Sequence, residues 1–146
     1  MRATVLAIAV LVLAGAAGGQ DAAKQEMTRL EGTWSMVSGQ ANGVAMPEEL
    51  VRGGKRAAKD GETIITIGGQ VYFKARFRID PSQKPGAIDY TMTEGPTKGK
   101  THLGIYELDG DTVTFCFAAP GQQRPKELTA PAGSQRTLSV WKRDTK

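Results

Sequence analysis

Cysteine and histidine are almost absent: the 146-residue chain has one of each, Cys116 and His102. One cysteine leaves no internal disulfide framework, and one histidine leaves no multi-histidine metal cluster within a chain. With a lone histidine and no G-x-S-x-G elbow, a serine-hydrolase triad of the usual form is also excluded. Aromatic residues are sparse at 6%. After Leu13 no apolar run is long enough to cross a bilayer as a helix. Nor is there a strong excess of one charge, with 19 basic against 15 acidic residues. That mild balance favours solubility and by itself argues for no nucleic-acid partner. Asp109 and Asp111 flank Gly110, too few carboxylates for a calcium loop of the usual ligand count. No metal and no cofactor is expected.

What is present begins with a leader. Met1 and Arg2 give a small positive start, Val5 to Leu13 is a continuous apolar stretch, and Ala14 to Gly19 are all small. This is the pattern of a signal peptide. Ala17 and Gly19 fit a small-x-small cleavage rule that puts Gln20 first in the mature chain; Ala14 and Ala16 offer a cut before Ala17. The expected organisation is a signal peptide over 1–19 and a single domain over 20–146, secreted or periplasmic. No cysteine near the junction offers a lipid anchor. Cys116, without a partner, leaves the fold to be held by its core.

Residues 20 to 31 are polar and suit a short helix or lead-in, with Leu30 as the first apolar anchor. From Gly32 the apolar pattern turns to period two, the signature of strands. Eight are expected: Gly32–Val37, a weak one at Lys55–Lys59, Glu62–Ile67, Gln70–Asp80, Ala87–Thr93, Thr101–Leu108, Asp111–Ala118 and Arg136–Arg143. Gly39 to Met46 reads as a loop, and Pro47 to Val51 as one helical turn opened by proline. The Lys55–Lys59 strand is weak because Arg56, Ala57 and Ala58 have little strand propensity. Asp60-Gly61, Gly68-Gly69 and Asp109-Gly110 are two-residue hairpin signals. Tight turns make successive strands antiparallel neighbours, and closing eight of them removes both raw edges. The expected fold is therefore all-β, an eight-stranded antiparallel up-and-down barrel; a two-sheet sandwich is the competing architecture.

The residues also resemble a known family. Gly32-Thr33-Trp34 is similar to the G-x-W signature of lipocalins, and Trp141-Lys142-Arg143 to the basic end of their last strand. More narrowly, Leu30 to Trp34, Lys84 to Asp89, Gly104 to Asp111, Cys116 to Ala118 and Arg124-Pro125 occur in an order that resembles a planctomycete-type lipocalin-like domain. That family is usually exported and carries no established activity. The resemblance implies a lipocalin-like barrel in which a cation of the last strand, Arg143 or else Lys142, packs over Trp34 and closes one end. It implies no catalytic residue.

The inward-facing set is expected to include Trp34. The candidate ligand-binding residues are Met36, Phe73, Phe77, Tyr90, Met92, Ile105, Phe115 and Phe117, lining a site for a small, largely apolar ligand. The alternative is that the same side chains fill the barrel, leaving a structural or interaction domain that works through its surface or the loop 120–135. In Gln70–Asp80, Val71, Phe73, Ala75, Phe77 and Ile79 face one way; Tyr72, Lys74, Arg76, Arg78 and Asp80 face the other. Burying three unpaired cations costs more than exposing two phenylalanines, so the cations should be in solvent. Cys116 and His102 are placed near-opposite across the Asp109-Gly110 hairpin, the sharpest chemical coincidence in the chain. Simple packing of Cys116 remains the expectation, and an enzyme is not expected. Arg124 reads either as a functional loop residue or as a local salt bridge with Glu127.

Overall fold

The computed structural model describes residues 15–145, so the charged and apolar leader, Met1 to Leu13, lies outside the described residues. Helix α1 (Gly15–Leu30) leads into β1 (Gly32–Ala41) and β2 (Val44–Ala45). Helix α2 (Glu48–Gly53) follows, then β3 (Gly54–Lys59), β4 (Glu62–Ile67) and β5 (Gln70–Asp80). The chain ends with β6 (Gly86–Glu94), β7 (Thr101–Asp109), β8 (Thr112–Phe117) and β9 (Thr137–Arg143). Strand β1 pairs antiparallel with both β3 and β9, and β3 to β9 pair in sequence. Eight strands thus close into an up-and-down antiparallel barrel, compatible with a lipocalin-like fold. The β2 strand is a short hairpin arm on β1, where the sequence pattern suggests only loop.

Turn chemistry accounts for the connections. Asn42-Gly43, Asp60-Gly61 and Gly68-Gly69 each have positive φ at both central residues, as a type I′ hairpin requires. The β7–β8 turn differs from the Asp109-Gly110 expectation. Asp109 pairs with Thr112, so the central residues are Gly110 and Asp111, with positive φ at Gly110 alone. That is the pattern of a type II′ turn.

Strand β3 forms despite its poor propensity, because β1 and β4 pair along it from both sides. Its burial alternates strictly, with Gly54, Arg56 and Ala58 inward and Lys55, Ala57 and Lys59 exposed. Strand β5 keeps its expected faces over most of its length: Ala75 and Phe77 are buried, while Arg76 and Lys74 reach Glu62 and Glu94 at the surface. At its start the alternation breaks. Ile65 pairs with Phe73 and Thr66 with Val71, so Tyr72 is an extra residue in a bulge. Val71 therefore shares the outer face with Thr66 and is exposed, against the expectation that it joins Phe73 inside.

The two barrel ends differ. One holds α1, the β3–β4 turn, the β5–β6 loop and the β7–β8 turn. The last turn of α1 sits against this end, with Leu30 fully buried and Tyr106 donating to Glu26 at 3.2 Å. Both expected cleavage positions fall in the first turns of α1, ahead of these contacts. The other end holds the β1–β2 hairpin, α2, the β4–β5 turn and the loops before β7 and β9.

The loop between β8 and β9 folds back over the outside of the barrel. Arg124 fastens it: Nη1 donates to the carbonyls of Ile88 (3.1 Å) and Gly104 (2.8 Å), and Nη2 lies 2.6 Å from Asp89 Oδ1. The partner is thus Asp89 on β6, not Glu127. Beneath the loop, Ala87, Ile105 and Cys116 are buried on the outer face together with Ala118 and Ala130. Cys116 Sγ lies 3.4 Å from the Thr129 carbonyl.

Candidate ligand cavity

Inward-facing side chains fill the barrel unevenly. Near α1, Leu30, Trp34, Ala58, Phe77, Ile88, Tyr106 and Val113 pack into one core. Toward the other end they leave a cavity of about 410 Å³, within the size range of small-molecule sites. Met36, Ile65, Phe73, Met92, Phe117 and Trp141 supply apolar wall, and Met46, Leu50, Tyr72, Pro96 and Thr97 line it from the segments at that end. One wall is an aromatic cluster centred on Tyr90, whose ring lies 4.3 Å from Phe117 and 6.2 Å from both Phe73 and Phe115, centroid to centroid.

Six of the eight residues expected to line the interior reach this cavity: Met36, Phe73, Tyr90, Met92, Phe115 and Phe117. Phe77 faces inward but lies in the packed core below it. Ile105 is a correction. Tyr106, its neighbour, is in the barrel core, so Ile105 points the other way and pairs with outward-facing Cys116. Both faces of β7 are apolar because the β8–β9 loop covers the outer one, and alternation alone could not choose between them.

The closed end is built around two arginines. The last carbonyls of a helix have no intrahelical partner and carry the negative end of its dipole. Arg143 donates through Nη1 to the Glu31 carbonyl at 2.7 Å and through Nη2 to the Arg29 carbonyl. Its guanidinium carbon lies 4.2 Å from the Trp34 ring centroid, across the β1–β9 seam where the two residues pair. Arg56 Nη1 donates to the Leu30 carbonyl at 2.9 Å, which also accepts from Trp34 Nε1 at 3.3 Å.

Arg56 is the residue that sequence reasoning missed. It is 1% exposed, inside the barrel, and lines the cavity. Its guanidinium sits 5.0 Å from the Phe115 ring centroid and 5.8 Å from that of Phe77, and its Nε donates to Tyr90 Oη at 3.4 Å. Among the described residues it forms no ion pair, and its Nη2 has no hydrogen-bond partner. The one signal for it was the alternation within Gly54–Lys59, which puts residue 56 on the same face as two small residues.

His102 also faces the cavity, at the open end. Its ring bridges Thr97 Oγ1 (2.9 Å at Nε2) and the Ala118 carbonyl (3.1 Å at Nδ1). Burial holds the imidazole below its ordinary value of 6.5, against the opposing pull of the Ala118 bond. Cys116 is on the opposite face of the sheet, paired with Ile105, so the two do not meet. Burial pushes its thiol up, away from the reactive thiolate.

Among the described residues no group of three or more His, Cys, Asp or Glu side chains is placed to hold a metal ion, and no helix is long and apolar enough to cross a membrane. Comparison with protein-family models, with curated proteins and with solved structures finds no match for this chain.

Proposed function

We propose that this chain is an exported lipocalin-like binding domain that takes a small, largely apolar ligand into its barrel. The observation that carries the reading is the cavity of about 410 Å³ walled by methionine, isoleucine and aromatic side chains. A close-packed interior stabilises a fold, whereas a void loses dispersion contacts along its lining. Space of this size at one end of an otherwise packed barrel suits an occupant. The same observation weighs against the alternative of a filled barrel, since only the half beside α1 is filled. The leader pattern and the similarity of five ordered motifs to the exported planctomycete-type domain support export and the narrower family reading. The role is one of binding, with no cofactor and no catalytic residue assigned.

The test is a calorimetric titration of the chain with an uncharged long-chain alcohol, dodecanol. Saturable binding that Met92→Trp weakens by taking up part of the cavity supports the reading. A wild-type chain that shows no saturable binding to dodecanol or to other apolar probes of similar size contradicts it.

A further inference from the structure

The cavity wall is apolar except at a few points, and the one permanent charge among them, Arg56, is buried. Arg56 is enclosed, faces two phenylalanine rings and has no carboxylate partner among the described residues. An arginine keeps its charge wherever it is placed. An uncompensated buried charge is among the most expensive features a fold can carry. Part of the cost is offset by the Leu30 carbonyl, the Tyr90 oxygen and the aromatic faces. Those groups leave Nη2 unmatched. Tyr90 adds a second donor. Its oxygen accepts from Arg56 Nε, so its own proton is left to give, and its ring lines the same cavity.

We propose that Arg56 and Tyr90 form an anion site within the cavity, and that the ligand is an amphiphile with one carboxylate head and an apolar tail. The proposal rests on the reading of the barrel as a ligand site. A carboxylate matches what is offered: one positive charge, the free N–H groups of Nη2 and one phenolic O–H. A phosphate or sulfate head would bring more oxygens than these donors satisfy, and the apolar walls would leave the remainder bare. With the head at Arg56, the tail would run along Met36, Phe73, Met92 and Phe117 toward Tyr72 and Pro96.

The test compares dodecanoate with dodecanol, two probes of one chain length that differ in the head. The full chain should bind dodecanoate at least about tenfold more tightly, as one charge-assisted hydrogen bond supplies. Arg56→Met and Tyr90→Phe should each weaken dodecanoate binding more than dodecanol binding, so that the ratio of the two affinities falls toward one. The carboxyl carbon of bound [1-¹³C]dodecanoate should keep the ionised shift at pH values where the free acid is protonated. Equal affinity for the two probes would overturn the anion site and leave the apolar-ligand reading standing; binding of neither would remove both. Where Arg56→Met fails to fold, the wild-type comparison, the carboxyl shift and Tyr90→Phe decide. A free-acid shift in the bound ligand, or dodecanoate affinity untouched by Tyr90→Phe, would count against the site.

Discussion

The Arg143 guanidinium lies 4.2 Å over the Trp34 ring while its two terminal nitrogens hold the carbonyls at the end of α1. One side chain thereby joins the first strand, the last strand and the helix at the closed end of the barrel. Trp34 is fully buried there. Trp34→Ala should lower stability by about 3–5 kcal/mol, as removal of a large buried aromatic does. Arg143 is partly exposed, and Arg143→Ala should cost about 1–2 kcal/mol. Chemical denaturation of both variants checks the pair, and two neutral results would contradict this role.

Strand β5 offers a test of inside against outside within two residues. Phe77 is 4% exposed, in the packed core, whereas Arg76 stands in solvent near Glu62. Phe77→Ala should lose about 3–5 kcal/mol, and Arg76→Ala should stay within about 0.5 kcal/mol of wild type. Denaturation midpoints give the comparison directly; an Arg76 variant as damaging as Phe77→Ala would contradict the assigned faces.

His102 is the chain's one histidine, so its titration can be followed without ambiguity. Burial lowers its pKa in the fold below the ordinary 6.5. Between the folded and unfolded values the unfolded chain binds more protons, so stability falls as pH drops below 6.5 toward the folded value. A proton NMR titration of the imidazole should give a midpoint below 6.5. His102→Gln should flatten the stability profile in that window. An unshifted midpoint, or a slope that survives the substitution, would contradict the buried position.

Arg124 and Cys116 are linked through the loop that covers the outer face of β7 and β8. With Arg124 holding the loop to β6 and β7, the buried thiol should react slowly with a disulfide reagent. Arg124→Ala should speed labelling by loosening the cover, at a rate still below that of the unfolded chain. Equal rates in the two proteins would show that Arg124 does not hold the loop.

Much of the barrel was legible because its strands are half-buried and their turns carry glycine at diagnostic positions. Asp60-Gly61 and Gly68-Gly69 mark the hairpins, and the phenylalanines of β5 and β8 mark the interior. The pattern failed where a second physical effect intervened. Ile105 looks inward because the loop makes the outer face of β7 apolar as well. Val71 looks inward until the bulge at Tyr72 shifts the parity. Arg56 was hidden deepest, because a cation between Lys55 and Ala57 reads as surface. Only pairing with β1 and β4 turns it into the barrel, and the carbonyl it meets at Leu30 belongs to a helix distant in sequence. Six of the cavity residues could be named from alternation, but the cavity itself could not: side-chain types do not reveal whether a volume is filled.

A barrel that carries a small, largely apolar ligand should retain it through gentle purification. Native mass spectrometry of the protein purified from its own host without detergent tests this most directly, with extraction to identify any bound species. A reproducible added mass from an enriched amphiphile is expected in wild type, reduced in Met92→Trp. A wild-type protein that consistently flies bare, and whose extracts contain nothing beyond the Met92→Trp control, would contradict a ligand-carrying barrel.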